Sequence, residues 1–244
     1  MSDTITGPAP DRQQKDRTIA VQPREIKEAA FRTLCAAGAD PLEAQEGALA
    51  VLRAEADAHA GLRLLQQLLD ADWAAPVRPA AVTDVPRAAG TLRELDPAGQ
   101  PPLRTALQLL DLAADTPEGG TAATRTTDAG IPGLLWNDLV LRHTASLQRR
   151  IAIATTNPGA TPDDGATCYL TVRDGELSAT PTPAPAAVIF MPQPAGASTT
   201  VMVLPEPVHT TPETTNIAPK PLKVREQEWQ TMYQMSRKYL VPDA

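Results

Sequence analysis

The sequence predicts a mixed α/β (α+β) fold: an N-terminal helical segment over residues 19–75 packed on a mixed-sheet body over residues 76–244. Three observations predict it. Apolar residues recur at helical spacing through the first third of the chain. Helical and strand-like stretches then alternate, and short apolar strands with turn signals dominate after residue 150. The segments form one integrated domain, because three short helices bury too little surface to stand alone. A polar stretch at 1–18 reads as a disordered tail.

The elements follow in order. Pro23 suits the first turn of a helix opening at Gln22. Ile26, Ala30 and Leu34, flanked by Phe31 and Cys35, form its apolar stripe, and Gly38 ends it. Asp40 caps a second helix with Glu43 three residues on, a capping-box spacing. Leu42, Gln45, Ala48, Leu49 and Leu52 carry that helix to about Ala56. A break at residues 57–60 leads to a third helix with Leu62, Leu65, Leu68 and Leu69 inward and Trp73 at its end. Residues 76–98 mix prolines with Val77, Val82, Val85, Leu92 and Leu95 and predict one or two short strands. Asp96-Pro97-Ala98-Gly99 is a turn.

Leu103, Ala106, Leu107, Leu110 and Ala113 mark a fourth helix. Residues 121–127 read as a strand, 132–148 as a fifth helix and 151–155 as an apolar strand. Thr156-Asn157-Pro158-Gly159 turns out of it. Strands at 168–172 and 176–180 flank Arg173-Asp174-Gly175, a hairpin signal. Two more strands fall at 187–191 and 199–204. An irregular extended stretch at 205–221 precedes a final amphipathic helix at 224–239, with Trp229, Met232, Tyr233 and Tyr239 available for packing.

Composition narrows the function. The chain has 244 residues, 42% of them hydrophobic but only 3% aromatic, so its core must be built from Ala, Leu, Val and Ile. Its 25 prolines are about twice the average usage and make long extended connections. Net charge is −7 with no basic block, which argues against a nucleic-acid surface. Cys35 and Cys168 lie far apart and form no metal or disulfide pattern. No apolar run approaches the ~20 residues of a membrane span, and the polar N-terminus has no apolar signal region. A soluble, cytoplasmic protein is expected. Abundant Ala, Arg and Pro suggest a high-GC bacterial genome.

Residues 53–69 hold the candidate site. His59 is one of three histidines, with Asp57 two residues before it and Arg63 four after. If His59 and Arg63 share a helix, the spacing sets both on one face. An imidazole beside a fixed cation can bind a carboxylate and pass a proton. Arg63 would clamp the carboxylate, His59 would move the proton and Asp57 could orient the ring. The plain alternative is that Asp57 ends one helix, His59 sits in the turn and Arg63 is a solvated helix residue.

Other candidates are weaker. His143 reads as a partly buried helix residue and His209 as solvated. No two histidines have metal-ligand spacing. Nothing near Cys168 would activate a thiol, no serine lies in a G-x-S-x-G elbow, and Asp163-Asp164 is an acidic turn. Gly119-Gly120 and Pro132-Gly133 belong to no phosphate-binding pattern.

Over residues 19–69 the chain resembles the type-2 malate/L-lactate dehydrogenases, NAD(P)-dependent reductases without a Rossmann fold, among them L-sulfolactate, ureidoglycolate and cyclic-imine reductases. That family has a helix with L-x-x-A-G, a second helix leading to an acidic corner, then D-S-H-G-x-x-R-L. The counterparts here are Leu34-Cys35-Ala36-Ala37-Gly38, Leu52-Arg53-Ala54-Glu55-Ala56 and Asp57-Ala58-His59-Ala60-Gly61-Leu62-Arg63-Leu64, with a shorter connecting segment before the aspartate. The family's substrate-contacting histidine and arginine map onto His59 and Arg63, while Ala58 replaces its serine and Ala60 its glycine. Residues 106–114 resemble the helix after the family's glycine-rich turn. Residues 121–157 resemble its strand–loop–helix–strand unit ending in T-N, which makes Thr156 and Asn157 the implied cofactor contacts.

The chain departs from the pattern in three ways. The family's second histidine, in an H-x-G loop near the nicotinamide, has no counterpart in Asp128-Ala129-Gly130-Ile131-Pro132-Gly133. The D-x-A-T-S letters at residues 164–168 follow Asn157 too closely to be that tract. The chain is also shorter than those enzymes. Its last segment, from Glu226-Gln227-Glu228-Trp229 to Tyr239-Leu240-Val241-Pro242, resembles an uncharacterised bacterial family with a similar helical start.

The resemblance implies NAD or NADP as cofactor, a small carboxylate substrate and a homodimer. Two functions remain: an NAD(P)H-dependent reductase of a small 2-oxo acid or cyclic imine, or a degenerate, non-catalytic relative that binds a small ligand or partner protein.

Overall fold

The structure is a computed structural model that describes residues 17–76, 78–87, 90–115, 120–127, 130–156, 167–173, 176–180, 197–208 and 217–240. Outside them lie most of the expected tail, the strand expected at 187–191, Asn157 with the turn it opens, the hairpin turn at Asp174-Gly175, the acidic pair Asp163-Asp164, and His209.

The fold class is the one expected: N-terminal helices packed on a mixed sheet. Helix α1 (Pro23–Ala37) ends at Gly38, whose φ of 107° is the left-handed conformation a glycine cap supplies. Helix α2 (Pro41–Ala58) starts on Asp40, whose side chain accepts the Leu42 N–H at 2.9 Å. It runs two residues past the expected end. Its inward face is Ala44, Gly47, Ala48, Val51, Leu52 and Glu55, whereas Leu42 is 74% exposed. Position 42 lies in the first turn of α2. Helix α3 (Gly61–Leu69) buries Leu64, Leu65 and Leu68, and the Trp73 indole closes its end by donating to the Leu68 carbonyl at 2.8 Å.

The body is a seven-stranded sheet. In chain order its strands are β2 (Ala81–Arg87), β3 (Gly90–Asp96), β4 (Ala122–Thr127), β5 (Arg149–Thr156), β6 (Thr167–Arg173), β7 (Glu176–Thr180) and β8 (Ser198–Pro207), and their spatial order is β2-β3-β4-β8-β5-β6-β7. Helix α4 (Pro102–Ala114) crosses between β3 and β4, which pair in parallel; the other neighbours are antiparallel. Helix α5 (Gly133–Leu147) connects β4 to β5.

Prolines sit where the ladder tolerates them. Pro86 is on the edge strand β2. Pro205 and Pro207 lie past Leu204, where β4 no longer pairs with β8. The expected irregular stretch at 205–221 therefore begins as strand.

Register assigns the two sheet faces. Leu95, Ile151, Ile153, Val172, Val201 and Val203 join the helices in the main core. Leu92, Ala123, Ala152, Ala154, Tyr169, Met202 and Leu204 form a second apolar layer on the opposite face.

A two-stranded sheet not legible in the sequence ties the chain's ends together. Strand β1 (Thr18–Val21) pairs antiparallel with β9 (Leu222–Arg225), Ile19 opposite Val224. Val224 thus belongs to a strand, and the final helix, α6 (Glu226–Arg237), begins two residues later than expected. A single 3-10 turn, Lys238–Leu240, follows it.

Candidate functional site

His59 lies at the joint of α2 and α3. Its backbone has φ 49° and ψ 43°, left-handed for a non-glycine residue. The conformation ends α2 as a glycine cap would: His59 N–H donates to the Glu55 carbonyl and Ala60 N–H to the Ala54 carbonyl, both at 3.1 Å. Arg63 stands on the next helix and is exposed, with no ion-pair partner among the described residues. The two residues therefore do not share a helix, and the same-face argument from their spacing does not apply. The placement matches the plain alternative: a histidine in the turn and an arginine on a solvated helix face.

Asp57, expected to orient the ring, instead faces Arg53, with its Oδ1 3.8 Å from a guanidinium nitrogen. The carboxylate beside the imidazole is that of Glu55, whose Oε1 lies 3.7 Å from His59 Nδ1. Glu55 is buried while the His59 side chain is 66% exposed. The second carboxylate oxygen, Oε2, accepts the Gly61 N–H at 2.9 Å. The sequence places Glu55 in the acidic corner but assigns it no role, although the signal was present. Residues four apart on α2 lie on one face, and Glu55 stands four before His59.

A partly buried charge network backs the corner. Arg53 approaches Asp138 Oδ1 of α5 at 3.8 Å. Arg142 donates to Asp138 at 2.7 Å and to Glu46 at 2.6 Å, joining α5 to α2. Burial holds the Asp138 carboxyl above its ordinary range, outweighing the opposing pull of Arg142 and Arg53. His143, half-buried as expected, is held below the ordinary imidazole range by burial and by the neighbouring Arg142. Among the described residues no cluster of His, Cys, Asp and Glu could hold a metal ion.

Thr156, at the end of β5, is buried opposite Ser198 of β8. Thr200 lies on the same sheet face, and its buried hydroxyl has no hydrogen-bond partner among the described residues. Arg125 pairs with Thr200 across the ladder and is engaged by Glu94. Thr156 and Thr200 both lie on the sheet face of Ala152, Ala154, Met202 and Leu204, away from the helices, and the Thr200 hydroxyl is too deeply buried to meet a nicotinamide nucleotide. They make no phosphate cradle among the described residues, where a cation or a ring of free N–H groups would be needed.

Grooves occur elsewhere on the surface. One of about 580 Å³ lies between α1 and α6, and one of about 380 Å³ is lined by Gln67, Asp72, Gln100, Gly130 and Pro132 among others. Asp57, His59 and Arg63 line neither. No helix among the described residues is long and apolar enough to cross a membrane.

No protein-family model and no curated protein matches the chain. Solved structures do. The malate dehydrogenase of Entamoeba histolytica is similar with a TM-score of 0.58 at 10% identity, covering 93% of this chain and 99% of that one. A dehydrogenase from Sinorhizobium meliloti gives 0.54 at 13% identity over 90% and 100% of the two chains. The malate dehydrogenase of Pyrococcus horikoshii OT3 gives 0.52 at 11% identity over 92% and 91%. At such identities the likeness is one of fold: the chain has the fold of these dehydrogenases, consistent with the type-2 malate/L-lactate dehydrogenase architecture.

Proposed function

We propose that the chain is a divergent NAD(P)H-dependent reductase of a small 2-oxo acid or cyclic imine, working at the α2–α3 corner. The observation that carries this reading is the exposed His59 ring backed by a buried carboxylate, just ahead of Arg63, which has no ion-pair partner among the described residues. Arg63 binds the substrate carboxylate through its planar fork. The nicotinamide, when bound, supplies a hydride to the carbonyl or imine carbon and is itself oxidised. As the C=O or C=N π bond breaks, protonated His59 gives its proton to the oxygen or nitrogen, and solvent restores it afterwards. The molecule works as a homodimer, which light scattering at micromolar concentration checks; a monomer mass would refute it.

The second reading, a non-catalytic relative that binds a small carboxylate or a partner protein, is favoured by one feature. Loop 128–133 carries no histidine, so the chain lacks the residue that its resemblance sets near the nicotinamide. NADH fluorescence separates the two. A quench or shift on adding the protein, with NADH consumed when 2-oxo acids or cyclic imines are supplied, supports the reductase. An unchanged spectrum, with no consumption of NADH or NADPH across such a panel, refutes it and leaves the binding role.

A further inference from the structure

We propose that Glu55 is the positioning residue of the corner: it holds the His59 proton on Nδ1 and so leaves Nε2 as the atom that exchanges a proton with the substrate. In naming a proton donor the proposal rests on the reductase reading; in naming a tautomer it does not.

The argument starts from what a buried carboxylate needs. Glu55 is 2% exposed. Its Oε2 is satisfied by the Gly61 N–H, but Oε1 is buried with no hydrogen-bond partner among the described residues. Leaving such an acceptor unpaired costs about 1–3 kcal/mol. The imidazole Nδ1, at 3.7 Å from Oε1, stands within an ion-pair distance. A small turn of the exposed ring brings the pair to hydrogen-bond length, about 2.8 Å, and catalytic contacts are often loose before ligand binds.

The backbone holds both partners in register. His59 N–H already donates to the Glu55 carbonyl, and the left-handed turn at His59 carries the chain straight into Gly61. Gly61 must lack a side chain here, because a Cβ would stand 2.9 Å from Glu55 Cβ, Glu55 Oε2 and the Val51 carbonyl. Asp57 does not compete for the ring, since it faces Arg53. An acceptor at Nδ1 favours the Nδ1–H tautomer, whereas free histidine prefers Nε2–H.

A merely structural Glu55 would do no more than cap α3 through Gly61. Glu55→Gln separates the two roles. The amide oxygen can still accept from Gly61 N–H, while the amide NH₂ then faces Nδ1 and donates to it. The cap survives and the tautomer reverses. The measurement is the ¹⁵N spectrum of the histidine-labelled full chain, with the His59 signals assigned by their loss in His59→Gln. The expected result is neutral His59 mainly as Nδ1–H in the wild type and mainly as Nε2–H in Glu55→Gln, with the melting curve little changed. A wild-type ring mainly in the Nε2–H form overturns the proposal, as does a tautomer unaffected by Glu55→Gln. If Glu55→Gln folds poorly, the wild-type spectrum alone decides.

Activity is the second readout. A wrong tautomer lowers turnover by roughly 10²–10⁴ with little change in KM. If the tautomer behaves as expected but neither protein oxidises NADH or NADPH with any 2-oxo acid or imine, the reductase reading fails and the assignment of Glu55 stands.

Discussion

Replacing Gly61 with alanine has opposite expected signs depending on whether the α2–α3 joint is as tight as the geometry indicates. Its φ is not in the left-handed range, so on backbone grounds alone the change should stabilise α3 by about 0.4–1 kcal/mol. The packing says otherwise. The new Cβ would lie 2.9 Å from three atoms, and two of them, Glu55 Cβ and the Val51 carbonyl, are set by the α2 backbone and cannot turn away. Overpacking of this kind costs about 1–3 kcal/mol. Pushing α3 aside would also break the Gly61–Glu55 hydrogen bond and orphan a buried carboxylate, for about 1–3 kcal/mol more. The net expectation is a loss of roughly 2–4 kcal/mol, or about 5–15 °C in Tm for a chain of this size. Gly133→Ala is the control: that glycine opens α5 with nothing within 4 Å of the added Cβ, and its Tm should hold or rise slightly. Thermal melts of both variants followed by circular dichroism decide. A Gly61→Ala protein that melts at or above the wild type would refute the account of the joint, and with it the tight seating of Glu55.

His59→Gly should relieve left-handed strain worth about 1 kcal/mol but leave the buried Glu55 Oε1 without its partner, a cost of about 1–3 kcal/mol, so Tm should hold or fall modestly while turnover drops by roughly 10²–10⁴; a clear rise in Tm would contradict the pairing. Arg63→Ala should leave the fold intact and weaken binding of carboxylate substrates roughly 10- to 100-fold, the loss of a charge-assisted contact, which KM values across substrates with and without a carboxylate would reveal. Burial raises the Asp138 carboxyl above its ordinary 3.8, so its stabilising contribution is full below that value and is lost as pH rises through the folded-state titration. Asp138→Asn should therefore gain on the wild type as pH increases from about 4; a difference in Tm that stays flat with pH would contradict this. His143 has the opposite sign: its imidazole is depressed below 6.5, so stability present above that pH is lost as pH falls, and His143→Gln should flatten the lower-pH arm of the Tm profile.

The sequence by itself determined most local structure, because local structure is written in local chemistry. Gly38, Asp40 with Glu43, and the Asp96–Gly99 turn act within a few residues of chain, and the helices and turns they mark are where they were expected. The hairpin of β6 and β7 and the apolar run of β5 were legible for the same reason.

Pairings between distant residues were not legible. Nothing in Thr18–Val21 announces a strand, because its partner at Leu222–Arg225 lies some two hundred residues away and supplies half of every hydrogen bond. Nor does sequence show that β8 inserts between β4 and β5.

The candidate site divides the same way. The residue types at 57–63 and the break between two helices could be read. Their directions could not, because one left-handed residue at position 59 rotates everything after it. That single dihedral leaves His59 in the joint and sets Arg63 on the next helix. Helical spacing along α2 sets Glu55, rather than Asp57, against the ring. Tertiary structure decided the chemistry of the corner, because the direction of a side chain at a helix end depends on how the next helix packs.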